Sequence, residues 1–437
     1  MLVTIDTLRA DHVSSYGYRR PTTPVIDALA RRGIRFENAW SSSSWTVPSV
    51  VSLLSGLQAP SHGVEHGHLA PGKGLSADAL VEQEVIAPQV DTWAELLRAA
   101  GYTTFGITAN GHLDARFGFA QGFDHYRCVG FAGAERVEEV AREWAGALQQ
   151  AEPFFLWVHL LDPHAPYTPR RAWLAAHLPG FRGVPPRLRG VVVAQQYADE
   201  RGITTPASPG FEMVRWLYDG EIAHTDAAVG RLLARAGVGD DDLVVVTADH
   251  GEEFLEHGRF GHGFTLYEES LRVPWVLRLP GGRHAGSVVR QPVGAVDVLP
   301  TVLDALGLEA PRAAQGRTAM GLVRGEAEAP RDVFAALARF DPLRAHALRR
   351  GSWKLLRREA TGRSELYDLA SDSAEAIDLA SKRPERTREL EAALERGLAA
   401  QRAQRIEPGH EPLSAEQLRR LEALGYVGAR DGADAPR

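Results

Sequence analysis

Cysteine occurs once in this 437-residue chain, at Cys128. One thiol excludes an internal disulfide and leaves the redox compartment open. Cys128 lies far from any hydroxyl–histidine cluster and reads as a packing residue. Lysine is almost as scarce: Lys73, Lys354 and Lys382 stand among 49 basic residues, a bias that reads as genome base composition. No apolar run approaches the ~20 residues of a membrane-spanning helix. The net charge of -7 gives no electrostatic reason to expect nucleic acid or an anionic membrane as partner. Internal repeats are absent too.

What is present is ordinary for a soluble globular protein: 44% hydrophobic and 24% charged residues. The length suits one large domain and a smaller one. The opening "MLVTID" reads as a buried strand with no basic or apolar leader before it. The expectation is a cytoplasmic chain, or a periplasmic or secreted one if the start is truncated.

Short β-rich runs alternate with helical patterns, which predicts an α/β fold with a largely parallel sheet. Four runs end in polar residues. "LVTI" (2–5) ends at Asp6, "TTFGITA" (103–109) at Asn110 and "DLVVVTA" (242–248) at Asp249. "FFLWVHL" (154–160) is followed by Asp162 and His164. Open α/β sheets bind ligands at the carboxyl ends of their strands. Helices are expected over 23–33, 91–101, 136–150 and 215–237, each with apolar spacing near 3.6. The Pro/Arg-rich stretch 170–212 reads either as an insertion or lid, or as a plain surface excursion. Residues 1–330 form the expected catalytic domain. Residues 331–437 form a C-terminal α+β subdomain, with a hairpin over 351–369 and helices over 384–402 and 413–428.

"SSSSWTVPSVVSLLSG" (41–56) places Thr46 just ahead of a short helix, with Pro48 in its first turn and Gly56 ending it. Thr46 is then either a capping residue or a nucleophile beside the positive helix end. A threonine hydroxyl needs a base or metal to become an effective nucleophile. Asp6, read alone, is equally an N-cap, a partner of Arg9 or a metal ligand. With Asp249, His250 and the Thr46 oxygen it completes a four-ligand set. Mixed oxygen and nitrogen donors prefer zinc or manganese to calcium or magnesium. His164 in "HLLDPHAPYTP" and His262 in "EHGRFGHGFTLYEE" sit in Gly- or Pro-bounded loops. There they suit anion binding, leaving-group protonation or a second metal. His159 and His257 read as structural.

These segments resemble the sulfatase family of the alkaline phosphatase superfamily. "VTIDTLRADHVSSYGY", "TVPSVVSLLSG", "HLLDPHAPY", "TADHGEEFLEHG", "GHGFTLYEESLRVP" and "KLLRREATGRSELYDL" occur in the family's order, and the likeness covers nearly the whole chain. The resemblance implies a central mixed sheet flanked by helices, with a small C-terminal sheet subdomain. It implies metal ligands at Asp6, Asp249 and His250, and a metal-held nucleophile at Thr46. It also implies anion contacts at His164 and His262, with His112 at the histidine of the family's "GKWHLG" segment and Asn110 at its lysine.

The departures redirect the chemistry. Sulfatases carry Cys or Ser, converted to formylglycine, in a C/S-x-P-x-R pattern. Here those positions are Thr46 and Val50, so no formylglycine is expected. The family's usual second aspartate is Thr7. Threonine at this position resembles the phosphodiesterase and phosphoethanolamine- or phosphoglycerol-transferase branches. The expected activity is metal-dependent hydrolysis or transfer of small anionic esters, phosphoester or phosphonoester before sulfate ester. The alternatives are a sulfatase working without formylglycine, and a non-catalytic member that binds an anionic glycan or lipid head group. One tight divalent metal is expected, since "DPHAPY" matches the family's one-metal loop. A second metal and the oligomeric state stay open.

Overall fold

The computed structural model describes residues 1–66, 68–69, 82–168, 205–208, 211–339 and 343–414. The expected lid therefore lies outside the described residues except for 205–208 and the first two residues of a helix. The expected helix over 413–428 also lies outside them, apart from 413 and 414.

Among the described residues, the largest sheet has nine strands. In chain order they are β1 (Leu2–Ile5), β2 (Ile34–Trp40), β3 (Thr103–Thr108), β4 (His125–Cys128), β5 (Phe154–Leu160), β6 (Val244–Ala248), β7 (Arg272–Arg278), β8 (Ser287–Val289) and β9 (Val293–Gly294). Their spatial order is β8-β2-β7-β6-β1-β5-β3-β4, with β9 also paired to β2. β7 runs antiparallel to β2 and β6, and the other pairings are parallel. The sheet is thus the mixed, mostly parallel one expected. β1 and β6 are buried throughout, as apolar strands covered on both faces should be. Phe36 of β2 and Trp275 of β7 stack at 3.7 Å between ring centroids within this core.

Register places the site. Ile5 pairs with Ala248 on one side and Leu160 on the other. Asp6 and Asp249, the next residues on parallel neighbours, must therefore emerge side by side. Thr108 pairs with His159, so Asn110 leaves β3 at the same sheet edge.

Helices cover the sheet close to their expected positions. Trp93–Ala99 starts with a Thr92/Glu95 capping box. Phe211–Arg235 spans 25 residues. The pattern over 136–150 breaks at Trp144 into Ala134–Glu143 and Ala145–Gln150, because Trp144 adopts φ -92, ψ 0. Thr46–Ser55 is buried on every face, which explains why its sequence is apolar all round. Gly56 closes it at φ 71, with its N–H on Ser52 O at 2.9 Å.

Beyond residue 330 a second, antiparallel sheet is built from Asp332–Leu337, Ala345–Arg350, Trp353–Arg358 and Ser364–Asp368. Its last two strands are the expected hairpin. Helix Pro384–Ala403 packs Leu390, Leu394 and Leu398 against Leu348, Leu355 and Leu366. This sheet is tied to the first domain by Ala336 N–H on Ser42 O (2.9 Å). Lys354 is fully buried, with Nζ 2.7 Å from Glu375, 3.2 Å from Glu268 and 4.7 Å from the Trp40 ring centroid.

Candidate active site

The carboxylates of Asp6 and Asp249 meet as the register requires. Asp6 Oδ1 and Asp249 Oδ2 are buried and accept no hydrogen bond. His250 Nε2 lies 3.6 Å from the first and 3.5 Å from the second. Two buried carboxylate oxygens without donors are costly unless a cation joins them. His250 Nδ1 donates to Gly251 O at 2.8 Å, which leaves Nε2 as the lone-pair nitrogen facing the carboxylates. One ligand atom from each of Asp6, Asp249 and His250 falls within 4.8 Å of the others. The set fits a divalent metal, and its mixed donors fit zinc or manganese.

Thr46 Oγ1 lies 3.3 Å from the same His250 Nε2. Its place in the helix differs from the capping expectation. Trp45 is the N-cap and Thr46 the first helical residue, and no side chain caps this end. The hydroxyl is therefore not committed to a backbone amide and is directed at the ligand cluster.

The preceding serines explain how Thr46 is held. Ser41 donates to the carbonyl of Asp249, and its Oγ sits 3.0 Å from Ser49 Oγ. Ser49 in turn donates to Ser43 O at 2.9 Å. The turn into the helix is thereby tied to the end of β6. Val50, at the family's arginine position, is fully buried among apolar neighbours.

Other groups orient the candidate ligands. Asn110 Nδ2 donates to Asp6 Oδ2 at 2.8 Å, and His159 Nε2 is 3.4 Å from the same oxygen. His159 is fixed by Thr4 Oγ1 at 2.8 Å, which accepts from Trp157 Nε1 at 3.0 Å. His159 therefore supports Asp6 directly, a role that its place inside a strand pattern concealed. Arg9 turns away from Asp6 and pairs with Asp11 (2.8 Å) and Glu256 (2.6 Å). Thr7 stands at φ 58, an outlier for a β-branched residue, and its N–H reaches Asp249 Oδ1 at 3.3 Å.

Burial alone would raise Asp6, but the His159 hydrogen bond and the His164 and His250 charges outweigh it and hold Asp6 well below the usual carboxylate range. Burial, with the Asp6 charge beside it, pushes Asp249 well above that range. Two adjacent carboxylates driven apart in this way share one site for positive charge.

His164 and His262 meet at 4.8 Å between ring centroids, and His262 lies 4.5 Å from His250. His164 Nδ1 donates to Ala165 O at 2.5 Å. His262 Nδ1 is 3.0 Å from Glu252 Oε1, and Tyr167 donates to Glu252 Oε2 at 2.9 Å. Burial pushes Glu252 up to about 7, and holds His164 and His262 below the ordinary histidine value. His112 packs beside Trp45 at 6.3 Å between rings, with Nδ1 3.1 Å from Gln83 Oε1. Arg339, from the C-terminal sheet, reaches this region: it lies over Trp45 at 5.3 Å and donates to His262 O at 3.4 Å.

Asp6, Thr46, Asn110, Asp249, His250, His164 and His262 thus converge, with His112 alongside. Asn110 meets the Asp6 carboxylate, where the sequence suggested the substrate. Glu252, Tyr167 and Arg339 carried no isolated signal, although Glu252 lies within "TADHGE". Asp162 does not join His164 and His262 as a second-metal set but meets Glu135 and His224.

A sheet carrying this polar cluster at the carboxyl ends of β1, β3, β5 and β6 is that of the alkaline phosphatase superfamily. The sulfatase family model matches residues 1–308, and that of the C-terminal part of N-sulphoglucosamine sulphohydrolase matches 255–404. The chain belongs to the sulfatase family and is a sulfatase-family hydrolase. It is 26% identical over 395 residues to the multifunctional alkaline phosphatase superfamily protein PehA of Trinickia caryophylli, covering 73% of this chain and 75% of that protein. Among solved structures, one in complex with its substrate D-glucosamine-2-N,6-O-disulfate superimposes with TM-score 0.73 at 20% identity, covering 92% of this chain and 98% of that one. The phosphonate monoester hydrolase of Agrobacterium radiobacter superimposes with TM-score 0.66 at 20% identity, covering 94% and 96%. Among the described residues, no helix is long and apolar enough to cross a membrane.

Proposed function

We propose that this chain is a metal-dependent hydrolase or transferase of small phosphoric or phosphonic esters, with Thr46 as nucleophile. The observation that carries this reading is the 3.3 Å approach of Thr46 Oγ1 to His250 Nε2, at the mouth of the Asp6–Asp249 pair. Asp6, Asp249, His250 and Thr46 would hold the ion. When bound, a divalent cation supplies a lowered hydroxyl pKa and charge stabilisation for the ester oxygens.

The chain's own groups do the rest. An imidazole of the His164–His262 pair, held neutral by burial, accepts the Thr46 proton as Oγ1 attacks phosphorus, and hands that proton to the leaving alcohol as its bond to phosphorus breaks. Water, or an acceptor alcohol, then forms a new O–P bond as the Thr46 Oγ1–P bond breaks, and its proton passes through the same imidazole to the Thr46 oxygen. Asn110 and His159 keep Asp6 aimed, while Glu252 and Tyr167 fix His262. His112 flanks the anionic group. Formylglycine hydrate expels sulfate by collapse through its second hydroxyl. Threonine has none, and Thr46 therefore favours phosphorus.

The likeness to PehA and to a phosphonate monoester hydrolase supports this reading. A second reading, sulfate-ester hydrolysis without formylglycine, is favoured by the likeness to a structure whose substrate is a disulfated glucosamine. Turnover of aryl phosphate, aryl phosphonate, phosphodiester and aryl sulfate, with zinc or manganese and under chelation, separates them. Phosphonate or phosphodiester turnover exceeding sulfate turnover supports the first, and the reverse order supports the second.

A further inference from the structure

A cavity of about 350 Å³ lies where loop 312–317 meets strand Asp332–Leu337 and the last turns of helix Pro384–Ala403. That volume falls within the range of small-molecule sites, roughly 300–1,000 Å³. The cavity sits at the far end of the helix that carries Thr46. Gly56, which closes that helix, accepts from the N–H groups of Gln315 (2.9 Å) and Gly316 (3.2 Å), and Gln315 lines the cavity. The 10 residues of the helix put about 15 Å between this end and Thr46.

The wall is polar and carries an unsatisfied donor. Arg331 lines the cavity and is only 2% exposed. Its terminal nitrogens donate to Arg317 O (2.8 Å), Thr318 O (2.6 Å) and Glu328 Oε2 (2.7 Å), and one lies 3.4 Å from Asp297. Its Nε is buried and meets no acceptor among the described residues. A buried donor left unpaired is costly, and an acceptor held in the cavity would relieve it. Gln58 and Gln401 line the same space and are 6% and 5% exposed. The bonds that fix them use backbone atoms: Gln58 N–H on Gln315 Oε1 at 2.8 Å, and Ser61 Oγ on Gln401 O at 2.9 Å. Their carboxamides, each both donor and acceptor, suit the hydroxyls of a ligand.

Charge points the same way. The two carboxylates of the wall are held by other groups. Asp332 is clasped by Arg350 through two bonds of 2.6 Å. Asp297 accepts from the backbone N–H groups of Arg317 (2.7 Å) and Gly294 (3.0 Å) and faces Arg331. Arg312 and Arg317 stand exposed on the rim. Guanidinium groups in this position match the oxygens of a tetrahedral anion.

We infer that this cavity is a second small-molecule site, for a sugar bearing a phosphate or sulfate group. The anionic group would lie toward Arg312 and Arg317, and the sugar hydroxyls toward Gln58 and Gln401. The site is separate from the Asp6–Asp249–His250 centre and does not depend on the chemistry at Thr46. It binds and does not react.

Calorimetry on the metal-loaded chain tests it, with glucose 6-phosphate, glucose 6-sulfate and glucose as probes. At least one of the two anionic sugars should bind in a component that Thr46→Ala leaves in place, and glucose should bind at least tenfold more weakly. Arg312→Ala with Arg317→Ala should weaken that component at least tenfold and leave turnover unchanged. Both arginines are exposed, so folding should survive their replacement. Gln401→Glu, which adds a negative charge at nearly constant shape, should weaken it in the same direction. Loss of turnover in Thr46→Ala bears only on the first site. Binding of neither anionic sugar at millimolar concentration, affinity unchanged in the double variant, or glucose bound as tightly as the anionic sugars would overturn the inference.

Discussion

Thr46 Oγ1 and His250 Nε2 stand 3.3 Å apart, although 204 residues separate them in sequence. The pairing of Ile5 with Ala248 places Asp6 and Asp249 beside this contact. The helix that carries Thr46 is secured to the same strand end through Ser41 and the Asp249 carbonyl. One sheet register and one helix start thus assemble the candidate ligands and nucleophile.

Metal removal should abolish activity and lower stability together. The orphaned oxygens of Asp6 and Asp249 repel each other without a cation. Chelation should lower Tm, and zinc or manganese should restore both Tm and turnover. Asp249→Asn should relieve the repulsion and remove the chelator-induced Tm loss. Melting curves with and without chelator measure this.

Glu252→Gln should lower kcat by about 10–100-fold with a smaller effect on KM, since Glu252 orients His262 without facing the ester directly. Tyr167→Phe should act in the same direction and more weakly, because Tyr167 donates to Glu252, which in turn meets His262. Steady-state kinetics on the best substrate checks both, and an unchanged kcat in Glu252→Gln contradicts the orienting role.

Asp219 predicts an acid-sensitive element. Burial would raise it, but His12 at 2.7 Å, Tyr18 at 2.7 Å and Arg20 hold it below the ordinary carboxylate value. A depressed folded value means that the stabilisation is complete above the unfolded pKa of about 3.9 and is lost as pH falls below it. Asp219→Asn should cost about 3 kcal/mol at neutral pH and flatten the fall of Tm below about pH 4. An equally steep acid limb in the variant would refute this.

Lys354 predicts coupling between the two sheets. Its buried ammonium faces Glu375 and Glu268 and lies over Trp40. Lys354→Met leaves those carboxylates without their cation and should cost about 3–5 kcal/mol by denaturant unfolding. Lys354→Arg should recover little, because a planar guanidinium does not match a point charge in a closed cavity.

The strands and most helices were legible because apolar periodicity and Gly or Pro stops survive in a single sequence. Asp6 and the Asp249–His250 pair were legible because each comes straight after a strand of strong β pattern. The partners of those residues were not. His159 sits inside a strand pattern, and only the pairing with β1 turns it toward Asp6. Arg339 arrives from a different sheet, where local spacing carries no information. Of the two readings of Thr46, the cap is set aside by one residue, since Trp45 takes the N-cap and leaves the Thr46 hydroxyl facing His250.

The most direct test of Thr46 is the turnover of aryl phosphonate and aryl phosphate by Thr46→Ala and Thr46→Ser, with the metal content of each variant measured. The nucleophile reading predicts that Thr46→Ala loses activity by about 10⁴-fold or more while Asp6, Asp249 and His250 still bind metal, and that Thr46→Ser keeps a large part of it. Metal-dependent turnover that survives Thr46→Ala would contradict the nucleophile role.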